Sequence, residues 1–359
     1  MTATITQFEV KRDAMGESRW TEAAATPLAP GQIRAAVERF GFTANNITYG
    51  VAGDMIGYWK FYPAADGYGV IPVWGIATVT ESANDTLPVG TRFWGFIPMA
   101  SHVTLSPVSV SDQGFIDATP HRVDLPAVYN QYQISPADPD ADPATADADL
   151  VFRPLFTTGF LIDDWLAENS FFGAEQVVLA SASSKTALGA AFCIHRNRDV
   201  ALTGLTSKAN EEFVERTGYY SPVVRYGAIG TLDPGLKTAF VDMSGNGQVI
   251  GEVHVLYGAN LKVSSIVGMT HWDKMGPPKD LPGPKPAMFF APDIIKKRMA
   301  DWGAEGFNVR MREAARAFAE DSKRFLDIHK ARGPDAIEQL YHTMREGHVP
   351  PQEGHILAF

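Results

Sequence analysis

The chain has 359 residues, of which 45% are hydrophobic and 20% are charged, and its formal net charge is −10. This length is typical of two domains, and the composition is that of a globular protein rather than a disordered one. A negative charge without any basic run argues against a nucleic-acid-binding surface. No segment reaches the roughly 18 apolar residues of a membrane span. The sequence therefore predicts a cytoplasmic protein with no membrane contact.

Cysteine usage limits the chemistry further. The only cysteine is Cys193, so neither a disulfide within one chain nor a zinc site built from several cysteines can form. Cys193 falls on a predicted helix, where a free cysteine usually behaves as a small hydrophobic residue. We therefore expect it to be buried.

The first third of the chain predicts β-structure. From Ile5 to about Pro126, short runs rich in Val, Ile, Thr and Phe are separated by Gly and Pro, among them residues 32–40 and 75–82. Runs bounded by turn residues at this spacing indicate an antiparallel, barrel-like domain. The segment Asp138 to Asp149 has two prolines and five aspartates and is predicted to be a solvated loop. It lacks the glycine and the terminal glutamate of an EF-hand calcium loop.

A strand, a turn and a helix follow at residues 176–196. Val177 to Ala180 is a short apolar run typical of a buried parallel strand, and Thr186 to Arg196 carries apolar residues at helical spacing. Small polar residues lie between them, so backbone N–H groups at the helix N-terminus can face an anion. This pattern is the outline of a dinucleotide-binding site.

The end of the next strand favours NADP(H). In NAD-binding proteins an acidic residue about 20 positions after the turn binds the ribose 2′-OH. Here the next predicted strand is followed by Thr206, Ser207 and Lys208, with no carboxylate. Two hydroxyls and an ammonium would attract a 2′-phosphate that a carboxylate would repel.

The rest of the chain alternates strands and helices and then becomes mainly helical. Strands are predicted at Val177–Ala180, Val200–Leu205, Val223–Tyr226, Thr238–Met243, Leu261–Val267 and Ala287–Phe290. Repeated βα units indicate a parallel, doubly wound sheet. Helices are predicted at Ile294–Trp302, Met311–Lys330 and Pro334–Arg345, and His355–Phe359 is predicted to be a strand added back to the first domain.

Six short motifs in chain order carry a family resemblance. Residues 29–38, 41–50 and 87–96 are similar to the motifs PGEVLVRV, GVNPSDI and VGDRVWGF. Residues 155–160, 240–245 and 266–271 are similar to the helix start GLTAY, to VFDSVGG and to the turn VVGxT. Together they resemble the medium-chain dehydrogenase/reductase superfamily, in particular its zinc-free quinone and enoyl reductase branch. The chain is also compatible with an uncharacterised bacterial family of unknown function within that superfamily, which would leave the activity open.

The resemblance implies an α/β fold with two parts: a Rossmann doubly wound parallel sheet and a GroES-like, partly open β-barrel domain. It implies that residues 1–150 and 325–359 form the GroES-like catalytic or substrate domain, and that residues 151–324 form the Rossmann nucleotide-binding domain. It also implies a homodimer, because the strand Ala287–Phe290 falls near the place where this superfamily pairs sheet edges across a two-fold axis.

Two departures from the superfamily affect the chemistry. Zinc alcohol dehydrogenases have a zinc-binding cysteine where this chain has Gly-Phe-Thr at residues 41–43. They have Gly-His-Glu where this chain has Val-Trp-Gly at residues 73–75. Without a thiolate or an imidazole at these places, no metal is expected. The glycine-rich phosphate turn is replaced by Ser181 to Ala187, which removes easy positive φ angles and an open approach for pyrophosphate. Lys185 and the hydroxyls could offset this loss by contacting phosphate directly. We therefore expect an altered turn geometry.

Two other interpretations of the turn remain open. Residues 184–186 are similar to the end of a P-loop, although the turn lacks the glycines that wrap a β-phosphate. A serine-rich turn can also cap the helix at Ser183 or Ser184 and bind nothing. Ser207 can likewise cap a predicted helix over Lys208–Thr217, and capping and phosphate binding can coexist.

The resemblance implies which residues act on a substrate. Reductases of this type position the substrate and supply a proton or hydrogen bond to a developing oxyanion. By their place in or just after the motif of residues 41–50, the candidate catalytic residues are Tyr58, Tyr49 and Asn46, with Tyr58 favoured. The aromatic residues between positions 59 and 74 would line an apolar pocket, but aromatic core packing explains them equally well.

The resemblance also implies a set of cofactor-binding residues. These lie in the phosphate turn, at the end of the second parallel strand, and at positions near the adenosine or the nicotinamide: Thr158, Ser181, Ala182, Ser183, Ser184, Lys185, Thr186, Thr206, Ser207, Lys208, Tyr226, Ser244, Gly245, Gly268, Met269 and His271.

The sequence thus predicts an NADPH-dependent, metal-free oxidoreductase that transfers hydride to an activated alkene, a quinone or a related carbonyl compound. Its expected partners are a small-molecule substrate and a second copy of the chain. The alternative, from a different class, is a non-catalytic NADP(H)-binding or sensor protein with a degenerate phosphate turn.

Overall fold

The computed structural model describes residues 3–137, 142–267 and 280–359. The chain forms two compact units, Met1–Val151 with Asp327–Phe359, and Phe152–Leu326. The first unit is mainly antiparallel β-structure, and the second is a parallel sheet with helices. Within the described ranges, no helix is both long and apolar enough to cross a membrane.

The elements are numbered in chain order. The strands are β1 (Thr4–Lys11), β2 (Ala14–Ala24), β3 (Ile33–Phe42), β4 (Tyr68–Gly69), β5 (Pro72–Ser82), β6 (Arg92–Pro98), β7 (His102–Leu105), β8 (Pro107–Ser111), β9 (Gly114–Asp117), β10 (Gln131–Ile134), β11 (Gln176–Ala180), β12 (Ala201–Thr206), β13 (Val223–Arg225), β14 (Thr238–Asp242), β15 (Leu261–Ile266), β16 (Ala287–Met288), β17 (Asp327–Arg332) and β18 (Glu353–Ala358). The helices are α1 (Ala44–Val51), α2 (Gly53–Ile56), α3 (Pro143–Glu168), α4 (Lys185–Asn197), α5 (Glu211–Thr217), α6 (Gly247–Tyr257), α7 (Ala291–Ser322) and α8 (Pro334–Arg345).

The first unit is built on two sheets. The smaller has the order β2-β1-β4, and the larger has the order β17-β18-β3-β5-β6-β10-β9-β8, with β7 also paired to β3. The closing strand β18 pairs antiparallel with β3, Ile356 opposite Gly41, which confirms the predicted return of the chain end to this unit. An aromatic-rich core fills the unit, and Phe8, Phe40 and Phe96 within it are fully buried.

A buried ion pair holds the end of β9 to the turn that follows it. Asp117 and Arg122 are 0% and 1% exposed, and their side chains are in direct contact. The second Asp117 oxygen accepts hydrogen bonds from the Ser106 N–H at 2.6 Å and the Thr119 hydroxyl at 2.8 Å. The Arg122 guanidinium lies 4.9 Å from the ring centroid of Tyr62, with which it makes a cation–π contact. Both charges are therefore removed from water, and each is neutralised by the other.

The predicted loop Asp138 to Asp149 is wrong over its second half, because α3 begins at Pro143. The carboxylate of Asp142 accepts hydrogen bonds from the Ala144 N–H at 3.3 Å and the Thr145 N–H at 3.1 Å, as a helix N-cap does. Asp147 is buried and forms ion pairs with side chains of the same unit. The motif of residues 155–160 consequently lies inside a helix and not at its start.

The predicted helix Met311–Lys330 is also wrong in its last part. The helix α7 ends at Ser322, and β17 runs parallel to β18 with His329 opposite His355. Backbone pairing with the end of the chain thus outweighs the local helical pattern of charged residues. Within α7, Gly303 has a φ of 75°, which interrupts the helix at a position where glycine meets little steric cost.

The second unit carries one parallel sheet with the order β13-β12-β11-β14-β15-β16. Counted within this unit the order is 3-2-1-4-5-6, that of a doubly wound dinucleotide-binding fold. All six predicted strands are confirmed to within two residues at each end. The α/β fold, with a Rossmann sheet and a separate β-domain, is thereby established.

Close helix packing fixes the position of α4. A Cβ atom on Gly159 of α3 would lie only 2.5 Å from the Ala190 backbone nitrogen, so the two helices can approach only because this residue is glycine. Cys193, on α4, is 1% exposed, which confirms the expectation that it is buried. Burial raises the pKa of its thiol.

The ion pair of the first unit yields a stability prediction. We expect Asp117→Asn to lower the free energy of unfolding by about 3–5 kcal/mol, because it leaves the buried Arg122 cation without a counter-charge. Urea unfolding measures the change. The matched control is Glu17→Gln, which removes an exposed ion pair with Lys11 and should change the stability little. Equal effects of the two substitutions would contradict the role given to the buried pair.

Candidate functional site

The turn between β11 and α4 contains a left-handed residue that is not glycine. Ser181 has a φ of 55°, so the positive φ that the sequence was expected to lose is retained. For a non-glycine residue this conformation costs of order 1–3 kcal/mol and needs support from its surroundings. The Ser181 N–H donates to the Tyr226 hydroxyl at 3.0 Å, and the Ala182 N–H donates to the Leu205 carbonyl at 3.0 Å. Contacts from β12 and from the residue that follows β13 therefore hold the turn.

The turn also starts the helix α4. The Ser184 hydroxyl accepts a hydrogen bond from the Ala187 N–H at 3.3 Å, which confirms the capping interpretation for this serine. The Ser183 hydroxyl accepts from the Asn210 side-chain amide at 3.0 Å. Lys185 and Thr186 follow in the first turn of the helix and are half-buried.

The end of β12 differs from the prediction at two residues. Thr206 is only 1% exposed, and its hydroxyl is buried with no hydrogen-bond partner among the residues that the structure describes. Ser207 makes no side-chain capping bond to the short 3-10 turn that begins at Lys208, so that capping prediction is wrong. Ser207 is half-buried and Lys208 is exposed, and these two present the accessible polar groups at this strand end.

The neighbouring strand adds a cation that the sequence analysis missed. Arg225, the last residue of β13, is paired with Thr206 in the sheet and has a half-exposed side chain. Its Nε donates to a Glu211 carboxylate oxygen at 2.7 Å. Arg225 was missed because its place beside β12 depends on strand pairing, which local sequence does not reveal. The ends of β12 and β13 thus present the cations Lys208 and Arg225, with the Glu211 carboxylate bound to Arg225.

The remaining predicted cofactor residues lie in several places. At the end of β14, the buried Asp242 carboxylate accepts from the N–H groups of Ser244 and Gly245, both at 2.9 Å, and so shapes the turn they form. Thr158 is half-buried on α3, next to the close approach at Gly159. The positions Gly268, Met269 and His271 lie outside the described residues.

A cluster of aromatic hydroxyls forms the second candidate site, in the first unit. We call Tyr49, Tyr58 and Tyr129 the tyrosine cluster. The hydroxyls of Tyr58 and Tyr129 are 2.8 Å apart, and the Trp74 indole N–H donates to the Tyr49 hydroxyl at 3.1 Å. The ring centroids of Tyr49 and Tyr58 are 4.5 Å apart. The Phe96 ring packs against all three tyrosine rings, so the rings of the cluster lie in apolar surroundings.

Local structure explains how α1 presents Tyr49. The helix begins with a capping box, in which the Asn46 side-chain oxygen accepts from the Thr43 N–H at 2.8 Å. The Asn46 amide donates to the Pro72 carbonyl at 3.1 Å, which ties the helix to β5. Asn46 is 4% exposed, and these bonds give it a structural role at the start of the helix. Gly57, with a φ of 89°, then turns the chain so that Tyr58 faces Tyr49.

The tyrosine cluster is electrically neutral over the physiological range. Burial raises the pKa of Tyr49, and the nearby Tyr58 raises it further. Burial also raises the pKa of Tyr58 and, more strongly, that of Tyr129. All three phenols therefore keep their protons and act as hydrogen-bond donors. Tyr129 was missed because it follows Tyr58 by 71 residues and lies in a short 3-10 turn with no motif.

Acidic and imidazole side chains do not assemble into a metal site in the part of the chain that the structure describes. Residues 3–137, 142–267 and 280–359 contain no group of three or more His, Cys, Asp or Glu side chains that could hold a metal ion.

The sheet order, the left-handed turn after the first parallel strand and the separate β-domain define the fold of the medium-chain dehydrogenase/reductase class. Solved structures agree. CurA from Vibrio vulnificus in complex with NADPH has a TM-score of 0.63 and 12% identity, with 98% of each chain covered. The CurK enoyl reductase has a TM-score of 0.58 and 11% identity, with 99% of each chain covered. The yhdH oxidoreductase from Salmonella enterica in complex with NADP has a TM-score of 0.51 and 12% identity, with each chain fully covered.

By sequence, the chain belongs to DUF2855, a protein family of unknown function, whose profile matches residues 40–350. No curated protein matches the chain by sequence. The superfamily resemblance inferred from the short motifs is thus confirmed at the level of the fold.

The capping geometry of the turn can be tested by stability. We expect Ser184→Ala to lower the free energy of unfolding by about 1 kcal/mol, because the Ala187 N–H loses its acceptor. Thermal unfolding followed by circular dichroism measures this change. Ser207→Ala is the matched control and should be close to neutral, since Ser207 makes no capping bond. A larger loss in the control than in Ser184→Ala would refute the assignment.

Proposed function

We propose that the protein is an NADPH-dependent oxidoreductase that works without a metal and transfers hydride to an activated alkene, a quinone or a related carbonyl compound. The observation that carries this proposal is the left-handed turn at Ser181, at the carboxyl end of the first parallel strand, with Ser207 and Lys208 beyond the second. The similar structures that contain NADPH or NADP support it.

The residues around the turn fit a dinucleotide that carries a 2′-phosphate. The positive end of the α4 dipole and the Lys185 side chain would hold the pyrophosphate. Ser207, Lys208 and Arg225 would hold the 2′-phosphate, and Tyr226 would lie near the adenosine. Thr206, at 1% exposure, adds no accessible hydroxyl to this set.

The chain's own residues would act on the substrate through the tyrosine cluster. When bound, NADPH supplies the hydride. Tyr58 and Tyr49 would donate hydrogen bonds to the substrate oxygen on which negative charge develops, and Trp74 and Phe96 would exclude water around it. Hydrogen bonds to an oxyanion strengthen in such an apolar environment, which lowers the barrier to hydride transfer.

Cofactor selectivity tests the proposal. We expect Lys208→Glu to weaken NADPH binding about tenfold or more, because a carboxylate replaces the cation facing the 2′-phosphate. NADH binding should change little. Isothermal titration calorimetry at low salt gives both affinities. The control is Lys237→Glu, which makes the same change of charge just before the amino end of β14, away from the strand ends that carry the site. No saturable NADPH binding by the wild type would remove the proposal.

One observation favours a second function, a non-catalytic NADP(H)-binding or sensor protein. The turn has one left-handed residue, Ser181, and its N–H is already engaged by Tyr226, so fewer backbone donors remain for pyrophosphate than a glycine-rich turn offers. NADPH oxidation measured against a panel of quinones and enones separates the two functions. Tight NADPH binding without turnover above background would favour the sensor.

We also propose that the chain forms a homodimer through β16, the edge strand of the parallel sheet, and that the protein is cytoplasmic. Met288 and Phe290 beside this edge are 52% and 48% exposed, an unusual place for large apolar side chains unless a partner covers them. Light scattering at micromolar concentration should give the mass of a dimer, and Met288→Lys should shift it towards the monomer. A monomeric wild type would contradict the proposal.

A further inference from the structure

The hydroxyl groups of two tyrosines bind the backbone of the turn between β11 and α4. The Tyr226 hydroxyl accepts a hydrogen bond from the Ser181 N–H at 3.0 Å. The Tyr220 hydroxyl donates to the turn, with the Ala182 carbonyl at 3.1 Å and the Ala187 carbonyl at 3.2 Å. One tyrosine therefore satisfies a backbone donor of the turn, and the other satisfies backbone acceptors.

A glycine on the neighbouring strand makes room for Tyr220. A Cβ atom on Gly204 of β12 would lie 2.9 Å from the Tyr220 ring and 3.0 Å from the Ala182 Cβ atom. Both distances are shorter than an ordinary van der Waals contact, so a larger residue at this position would displace the tyrosine or the turn. Residues 181–187 contain no glycine, but Gly204 allows a tyrosine to reach them.

The Tyr226 hydroxyl suits a turn that faces phosphate because it is neutral. Burial raises the pKa of Tyr226, the hydrogen bond from the Ser181 N–H offsets part of this rise, and the Asp242 carboxylate adds to it. The phenol therefore keeps its proton at neutral pH. It accepts the Ser181 N–H without the negative charge with which a carboxylate would repel a phosphate. The Tyr226 ring packs against the apolar core beside the sheet, which fixes the place of the hydroxyl.

The contact matters because Ser181 is not glycine. Glycine reaches a left-handed φ at little cost, whereas Ser181, at a φ of 55°, needs support from its surroundings. Without the Tyr226 hydroxyl, the turn would be free to relax to a negative φ. A ligand that requires the left-handed turn would then have to restore it on binding, and this cost lowers the affinity.

We propose that Tyr226, assisted by Tyr220, is a positioning residue for the pyrophosphate of the cofactor: its hydroxyl holds Ser181 in the conformation that a glycine adopts unaided. The inference rests on the proposed function for the identity of the ligand. It deepens that function because the Tyr226 hydroxyl then serves the phosphate turn, whichever part of the adenosine its ring lies near.

The test is a double-mutant cycle that combines Tyr226→Phe with Ser181→Gly, measured by calorimetric titration of the full chain with NADPH. We expect Tyr226→Phe to weaken NADPH binding about tenfold, because the turn is no longer held. In the Ser181→Gly background the same substitution should weaken binding by less than about twofold, since glycine keeps a positive φ without the hydroxyl.

Two results of this cycle would overturn the inference. An equal loss of affinity in both backgrounds would mean that Tyr226 has only a general structural role in the sheet. A gain of affinity with Tyr226→Phe would mean that the hydroxyl competes with the pyrophosphate for the Ser181 N–H instead of holding the turn for it.

Adenosine 2′-monophosphate separates the turn from the adenosine side of the site. This probe carries the adenine and the 2′-phosphate but no pyrophosphate, so Tyr226→Phe should change its affinity little. A loss as large as that for NADPH would assign the hydroxyl to the adenosine and contradict the inference. Tyr257→Phe is the matched control: it removes a buried hydroxyl that accepts from the Gln176 amide at 3.1 Å, at the other end of β11, and should leave NADPH binding unchanged.

Inorganic pyrophosphate distinguishes failure of the inference from failure of the proposed function. If pyrophosphate binds with the same coupling between positions 181 and 226 while NADPH does not bind, the reductase assignment fails and the positioning role stands. If NADPH binds and the cycle shows no coupling, the inference fails and the reductase assignment stands. If neither probe binds the wild type, both fail.

Discussion

The left-handed backbone at Ser181 is the constraint on which the candidate cofactor site of the parallel-sheet unit depends. It turns the chain from the first parallel strand into α4, and two hydrogen bonds hold it: the Ser181 N–H donates to the Tyr226 hydroxyl, and the Ala182 N–H donates to the Leu205 carbonyl. Because the two acceptors lie on β12 and just after β13, these bonds form only when β11, β12 and β13 are paired. Local strain and sheet assembly are therefore coupled, and the candidate binding residues are in place only in the folded sheet.

Periodicity and turn residues were sufficient to predict the second unit, because buried parallel strands are short apolar runs that alternate with helices. The errors arose where long-range contacts override local pattern. The aspartates after Pro143 suggested a loop, yet Asp142 caps the helix and Asp147 pairs with distant cations. The residues after Ser322 continued a helical pattern, yet they pair with the last strand of the chain.

In the candidate sites, too, local sequence predicted some residues, and others could be identified only from long-range contacts. The turn from Ser181 to Thr186 was predictable because its residues are contiguous, and Tyr58 because it follows a motif. Tyr129 and Arg225 reach their sites by tertiary pairing, so nothing local identifies them. The sequence predicted that Thr206 lies at the end of the second parallel strand. It did not show that the Thr206 side chain is buried, because that depends on which face of the sheet the side chain occupies. Sequence thus finds the residues of a site that one segment supplies, and structure finds those that distant segments bring.

The stacked indoles of Trp74 and Trp94 also give the protein an intrinsic fluorescence signal in the β-domain. Two fluorophores lie 4.6 Å apart, beside phenols that absorb at shorter wavelength and can pass excitation to them. A flat conjugated molecule that settled on these rings would compete for that energy and quench the emission. A change in the emission of these two indoles would therefore signal a molecule bound against them without any chemical turnover.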